Sequence, residues 1–285
     1  MKPKNLDRES RKVQKPLPVS VPAPVPPLFR KLDWLALAIT FGVVWTVYLL
    51  TLAPELTLED SGELVTGAFY AGIPHPPGYP VWSIYSWLWT ALLPIGNIAW
   101  RASVGQAFSG AMACGLLALM VSRGSSMLME GIEELKGMTG KWESAICLIS
   151  ALTAGLLLGL DGFMWKESVV VNRIAVTSVP WFLAVLVCLL RWIYAPHQLR
   201  YAYWAALLYG LCITLHQSLI VAALGIEIAL AAGNPKLGRD AFLGNFIIYL
   251  ADYLILAATG DHMFHNIGTK PGLLFLFNVI GIGSL

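Results

Sequence analysis

The sequence predicts an all-α polytopic membrane bundle of about seven to eight transmembrane helices, with one more helix lying along the outer interface. Three observations carry that expectation. The 285 residues are 57% hydrophobic and 13% charged, with a mean hydropathy of +0.66, whereas soluble domains are about a quarter charged. Several apolar runs are long enough to cross roughly 30 Å of hydrocarbon and lack the alternation of barrel strands. The basic residues are unevenly shared between the segments that separate those runs.

Residues 1–31 form a tail with Lys2, Lys4, Arg8, Arg11, Lys12, Lys15, Arg30 and Lys31 against only Asp7 and Glu9. Positive charge of that density keeps a tail cytoplasmic. Its six prolines between Pro16 and Pro27 disfavour helix and predict an extended linker. No cleavable leader pattern precedes the apolar run at 34–53, which reads as an uncleaved signal anchor opening a transmembrane domain over 32–285. Further apolar runs cover 80–95, 102–122, 144–162, 175–194, 201–215, 217–232, 242–258 and 272–285. The first outer loop is taken as 54–101.

The run at 80–95 decides the topology. Were it to cross the bilayer, 12 of the 19 Lys and Arg would lie inside and 7 outside. Laid along the outer interface, it leaves 15 inside and 4 outside, the four being Arg101, Lys166, Arg173 and Lys270. The stronger bias favours the interfacial arrangement. Tyr79, Trp82, Tyr85, Trp87 and Trp89 are also the side chains that settle among headgroups. With that choice Asp60, Glu63, His75, Asp161, Glu167, Asn172, Arg173, His216, Asp261, His262 and His265 all fall on the outer side or at outer helix ends. Polar groups gathered at one face of a rigid helical frame point to a site there.

Several of these residues have ordinary readings. Asp60 followed three positions later by Glu63 matches a helix-capping signature, which is compatible with a catalytic role because a capping acid is held in one geometry. The His75-Pro76-Pro77-Gly78-Tyr79-Pro80 stretch is stiff and non-helical, with Gly78 permitting a turn. Arg173 serves equally as a headgroup anchor or as a phosphate ligand. Glu167 with Lys166 reads as a surface pair. His216, between two apolar halves, is a functional candidate by its depth. Asp261, His262 and His265 lack a fourth partner and read as a polar loop, and Cys114, Cys147, Cys188 and Cys212 lie in apolar runs, so no metal site or disulfide framework is expected. Residues 123–143 read as a solvated cytoplasmic loop. Gly105, Gly110, Gly115, Gly155 and Gly159 are small-residue positions for close helix packing. No phosphate-cradling glycine loop, nucleophile elbow or nucleic-acid stripe is present, and no nucleic-acid partner is expected.

Asp60-Ser61-Gly62-Glu63-Leu64 followed by Gly72-Ile73-Pro74-His75-Pro76-Pro77-Gly78-Tyr79-Pro80 resembles the signature of the transmembrane protein O-mannosyltransferase-like family, within the GT-C superfamily of polyprenyl-phosphate-sugar-dependent glycosyltransferases. Gly210-Leu211 leading to His216 is similar to a further block, and Phe163-Met164-Trp165 aligns with a second outer loop. In that loop this chain has Asn172-Arg173-Ile174 where the family usually shows an acid followed by tyrosine. Family members continue well past this length, which implies a fragment, a truncated product or a divergent short form.

The resemblance implies a GT-C-like fold and inverting transfer of a sugar, with mannose the family's sugar, from a polyprenyl-phosphate-linked donor to an acceptor hydroxyl on protein or glycan. It gives Asp60 the role of base, with Glu63 second, and Arg173, His216 and His75 the role of stabilising the departing phosphate. The lipid-linked sugar enters as substrate, and membrane lipid and the acceptor are the expected partners. The implied setting is a bacterial inner membrane with the active face outward. A lipid or solute transporter and an inactive scaffold remain open readings, although no convincing internal repeat of the transporter kind is present.

Overall fold

The computed structural model describes residues 26–57, 59–76, 78–135 and 140–259. Residues 1–25 of the tail, the 272–285 run, and Asp261, His262 and His265 lie outside the described residues. Among the latter every regular element is helical, as the composition predicts.

Among the described residues, four helices are long and apolar enough to cross a membrane: α1 (Lys31–Leu50), α4 (Ile98–Gly131), α5 (Gly140–Leu160) and α7 (Ala175–Tyr194). This is fewer than the seven to eight expected, and the reason is visible in the chain. The runs at 201–215 and 217–232 break at His216 into α8 (Arg200–Leu215), a 3-10 turn, and α9 (Ala223–Gly233). At 1.5 Å per residue, the 16 residues of α8 reach only about 24 Å. The 25-residue α10 (Pro235–Thr259) takes in the run at 242–258. Two short helices, α2 (Ser61–Tyr70) and α3 (Pro80–Leu92), lie between α1 and α4, and α6 (Gly162–Ser168) lies between α5 and α7.

Helix α4 is the central pillar, packing on α1, α5 and α7, while α8 packs on α7. Its buried positions are mostly Ala, Ser and Gly, which let neighbouring backbones approach. Across from it, a Cβ at Gly155 would lie 2.5 Å from Thr40 Cγ2, and one at Gly159 would lie 2.6 Å from Val44 Cγ2. The glycine pair is therefore a packing seam between α5 and α1, sealed by the Tyr48 hydroxyl donating to the Gly159 carbonyl at 2.7 Å.

The 13 residues of α3 reach about 20 Å, too short to span alone. Its polarity is inverted: Trp82, Ser83, Ser86 and Thr90 are buried, while Ile84, Trp87, Leu88 and Leu92 face outward. A helix with this pattern belongs against lipid, in keeping with its aromatic content.

The expected loop over 123–143 is corrected. Helix α4 runs on to Gly131, because Arg123 bonds Ser126 and Glu130, each at 3.2 Å, on the same helix face. Here the bundle closes with a knot of charges. Arg30 reaches Glu143 at 2.7 Å and Asp33 at 3.2 Å, and Ser122 and the Arg30 amide also donate to Asp33, which is fully buried. Ser126 donates to Glu143 at 3.0 Å.

Candidate functional site

The opposite end holds the α1–α2 connection, α2, α3, the α5–α7 connection and the end of α8. Its floor is one apolar cluster in which Leu64 and Val65 of α2, Trp82 of α3, Ala99 and Ala102 of α4, Val171 and Ile174, and Leu215 of α8 meet. Five separate stretches of chain are thereby fixed against one another beneath the polar residues. The expectation that these residues share an end is met for Asp60, Glu63, His75, Asp161, Glu167, Asn172, Arg173 and His216.

The two connections above this floor are stitched directly. Ala53 N–H donates to the Val169 carbonyl at 3.0 Å, and Trp165 Nε1 donates to Thr51 Oγ1 at 2.9 Å. Asn172 Nδ2 donates to Glu59 Oε2 at 2.7 Å. That last bond ties the stretch that carries Asp60 to the stretch that carries Arg173. Glu59 holds φ at 63°, a left-handed conformation that a side-chain-bearing residue adopts at a cost.

Asp60 occupies the N-cap position of α2 but makes no capping side-chain bond, which corrects the capping expectation. Its carboxylate is exposed at the rim of the site. The proposed partner in the capping box is drawn elsewhere: Glu63 accepts the His75 amide at 2.5 Å and the His75 Nδ1 at 3.2 Å. A carboxylate only accepts, so Nδ1 carries the proton and Nε2 faces away from Glu63. The His75 amide and ring together hold the Glu63 carboxyl below the ordinary carboxylate range. The turn that delivers His75 uses Gly78 at φ 95° and Tyr79 at φ 43°, with Pro80 as the first residue of α3. Tyr79 stands edge-on to the His75 ring at 5.7 Å.

In the second connection, Asp161 caps α6 by accepting from Phe163 N at 3.0 Å and Met164 N at 3.3 Å. The surface pairing of Glu167 with Lys166 is corrected: Glu167 is 3% exposed, and its Oε2 lies 3.7 Å from Nε of Arg173. The Arg173 guanidinium is open to the site, with its side chain 57% exposed. Gln106 of α4 braces this segment, its Nε2 donating to the Arg173 carbonyl at 2.6 Å and its Oε1 accepting from Thr177 at 2.8 Å. Sequence reasoning passed over Gln106, although an uncharged polar residue among the small residues of a membrane span is itself a signal. No local pattern reveals the bond of Glu59 to Asn172.

His216 sits at the C-terminus of α8, half-buried and in extended conformation, next to Leu215 of the floor. Among the described residues no hydrogen bond joins its ring to the cluster. Beside α2 a cleft of about 420 Å³ opens, lined chiefly by Leu56, Val65, Phe69, Tyr70 and Ile98, with Glu55 and Asn97 at its polar edge. Among the described residues no three His, Cys, Asp or Glu stand together as a metal-binding set.

The sequence profile described as "Protein O-mannosyl-transferase TMEM260 N-terminal domain" matches residues 60–236. The protein O-mannosyl-transferase TMEM260 of Mus musculus is 35% identical over 127 residues, which is 42% of this chain and 18% of that protein. Its counterpart in Dictyostelium discoideum is 30% identical over 69 residues, 24% of this chain and 8% of that protein. The chain thus spans less than a fifth of the relatives' length within these matches. Both are eukaryotic, and they lend no support to the expected bacterial inner membrane. No solved structure matches the chain.

Proposed function

The chain belongs to the Protein O-mannosyl-transferase TMEM260 N-terminal domain family, and from that membership we propose that it moves a sugar from a polyprenyl-phosphate donor to an acceptor hydroxyl. The relatives' name supplies the sugar and acceptor classes, mannose and protein. The observation that carries the reading is the Glu59–Asn172 bond, which sets an unengaged acid and an open guanidinium at one end of a membrane bundle.

The chemistry needs both. As the acceptor oxygen bonds to the anomeric carbon, its proton passes to the Asp60 carboxylate, and the bond from that carbon to the phosphate oxygen breaks. The polyprenyl phosphate leaves with the electron pair, and Arg173 meets its growing negative charge with paired N–H donors. Glu63 is the weaker candidate for base, since two donors already stabilise its charged form. Its role is to hold His75, whose outward ring edge adds a second donor toward phosphate when protonated. His216 borders the same floor as a third phosphate-side group. The apolar cleft beside α2 suits isoprenoid or acceptor side chains, and the outward apolar face of α3 keeps the site at the membrane surface. The excess of Lys and Arg at the tail end supports a periplasmic or lumenal position for this end and a cytoplasmic one for the basic tail.

The test is transfer of radiolabelled sugar from a panel of polyprenyl-phosphate sugars by the full chain in lipid nanodiscs, wild type against Asp60→Asn at matched abundance. Transfer by the wild type and its loss in the variant support the reading. Absence of wild-type transfer from every donor favours a scaffold or transporter.

A further inference from the structure

The segment between α6 and α7 has a surplus of acceptors. Glu167 Oε2 and Asn172 Oδ1 are buried and receive no hydrogen bond, in residues that are 3% and 6% exposed. Two nearby amide donors are already engaged. Asn172 Nδ2 is bonded to Glu59, and Gln106 Nε2 points to the backbone carbonyls of Arg173 at 2.6 Å and Glu167 at 3.5 Å. Arg173 Nε stands 3.7 Å from Glu167 Oε2, an ion-pair separation beyond direct hydrogen-bond reach. Buried acceptors left unpaired are costly, and these two stand within six residues of each other beside the open Arg173 guanidinium.

The chemistry of the donor they await is restricted. A phosphate brings acceptors only and cannot serve them. A metal ion could, but the Arg173 guanidinium beside Glu167 opposes a second positive charge. Hydroxyl groups fit: they donate to the carboxylate and the amide oxygen, and a pyranose carries several along one edge. Arg173, exposed at the top of the same segment, is the phosphate ligand of the proposed reaction, so a sugar linked to that phosphate falls beside Glu167 and Asn172.

From this arrangement we infer that Glu167 and Asn172 read the hydroxyls of the donor sugar while Arg173 holds its phosphate. This subsite rests on the glycosyltransferase reading above and assigns recognition of the sugar to the second connection, leaving proton transfer to the first. Gln106 is the positioning residue that sets the segment against α4.

The discriminating experiment measures binding of two lipids to the full chain in nanodiscs: polyprenyl-phosphate mannose and the same polyprenyl phosphate without sugar. The wild type should prefer the sugar-bearing lipid. Glu167→Gln, which replaces an acceptor by a donor at constant shape, should cut that preference about tenfold, the scale of a lost charge-assisted hydrogen bond, and leave the sugarless lipid unchanged. Asn172→Ser should reduce the preference in the same sense, providing a second variant should Glu167→Gln fail to fold. Arg173→Ala should weaken both lipids. Equal wild-type binding of the two lipids, or equal effects of Glu167→Gln on both, overturns the sugar subsite while the phosphate site stands. A preference abolished by EDTA and restored by a divalent cation assigns the acceptors to a metal and overturns it too. If neither lipid binds the wild type, both the subsite and the transferase reading fall.

Discussion

The two ends of the bundle are both rich in charge, yet they handle it oppositely. At the tail end Asp33 is buried under Arg30 and Ser122, Glu143 is shared by Arg30 and Ser126, and Glu130 is held by Arg123. Each of these carboxylates has a partner within the chain, the unmatched atoms being two guanidinium Nε groups. At the far end Asp60 makes no capping bond, Arg173 is largely open and only 3.7 Å from Glu167 Oε2, and that oxygen and Asn172 Oδ1 receive no hydrogen bond below the surface. Partnered charge stabilises helix ends. Loosely held charge on a rigid floor costs stability and is available to a substrate.

Single substitutions at the two ends should therefore separate stability from activity. The largest effect belongs to Asp60→Asn: transfer should fall by about 100-fold or more with the thermal midpoint unchanged, a loss typical of a removed general base. Retained transfer in a folded variant would assign the base elsewhere. Asp33→Ala should do the reverse, lowering stability by about 1–3 kcal/mol because the buried Ser122 hydroxyl and the Arg30 amide lose their acceptor while Arg30 keeps Glu143, with transfer per folded molecule preserved. Denaturant or thermal unfolding in detergent reads the first part, and activity of the surviving folded fraction reads the second.

A smaller effect probes the shared frame. Gly159→Val drives a side chain into Val44, and overpacking of this kind costs about 1–3 kcal/mol. Thermal unfolding should register that loss, and a neutral outcome would mean that α1 and α5 can separate at the seam. The smallest effect concerns Glu63. His75 holds its folded-state carboxyl below the ordinary 4.5, so this contact stabilises fully above 4.5 and is lost as pH falls through the lowered value. Glu63→Gln should flatten that acid limb of stability and speed exchange of the His75 amide. An unaltered acid limb in this variant would show the contact to be absent in solution.

Much of this contrast is legible in the sequence because it follows from coarse rules. Alternation of apolar runs with the basic-residue count gathers Asp60, His75, Arg173 and His216 at one end. Glycine spacing finds the α1–α5 seam, and Gly78 marks the turn at positive φ. Local patterns fail where a distant partner wins. The Asp60-x-x-Glu63 pattern promises a capping box, but the His75 amide takes the Glu63 carboxylate instead. Lys166-Glu167 looks like a surface pair until α6 turns Glu167 inward toward Arg173. The charges after residue 122 suggest a loop, yet their spacing lets them pair along a continued helix. Glu59 and Asn172 are 113 positions apart, and only the packed floor brings them together.

The most direct measurement is photo-crosslinking of a polyprenyl-phosphate sugar analogue, with a diazirine on the first isoprene unit beside the phosphate, to the full chain in nanodiscs, followed by peptide mapping. Adducts confined to residues 55–79 and 161–174, lost in Arg173→Ala, are the expected result. Adducts at the Arg30, Ser122 and Glu143 end, or labelling indifferent to Arg173, would contradict a donor site at the open end of the bundle.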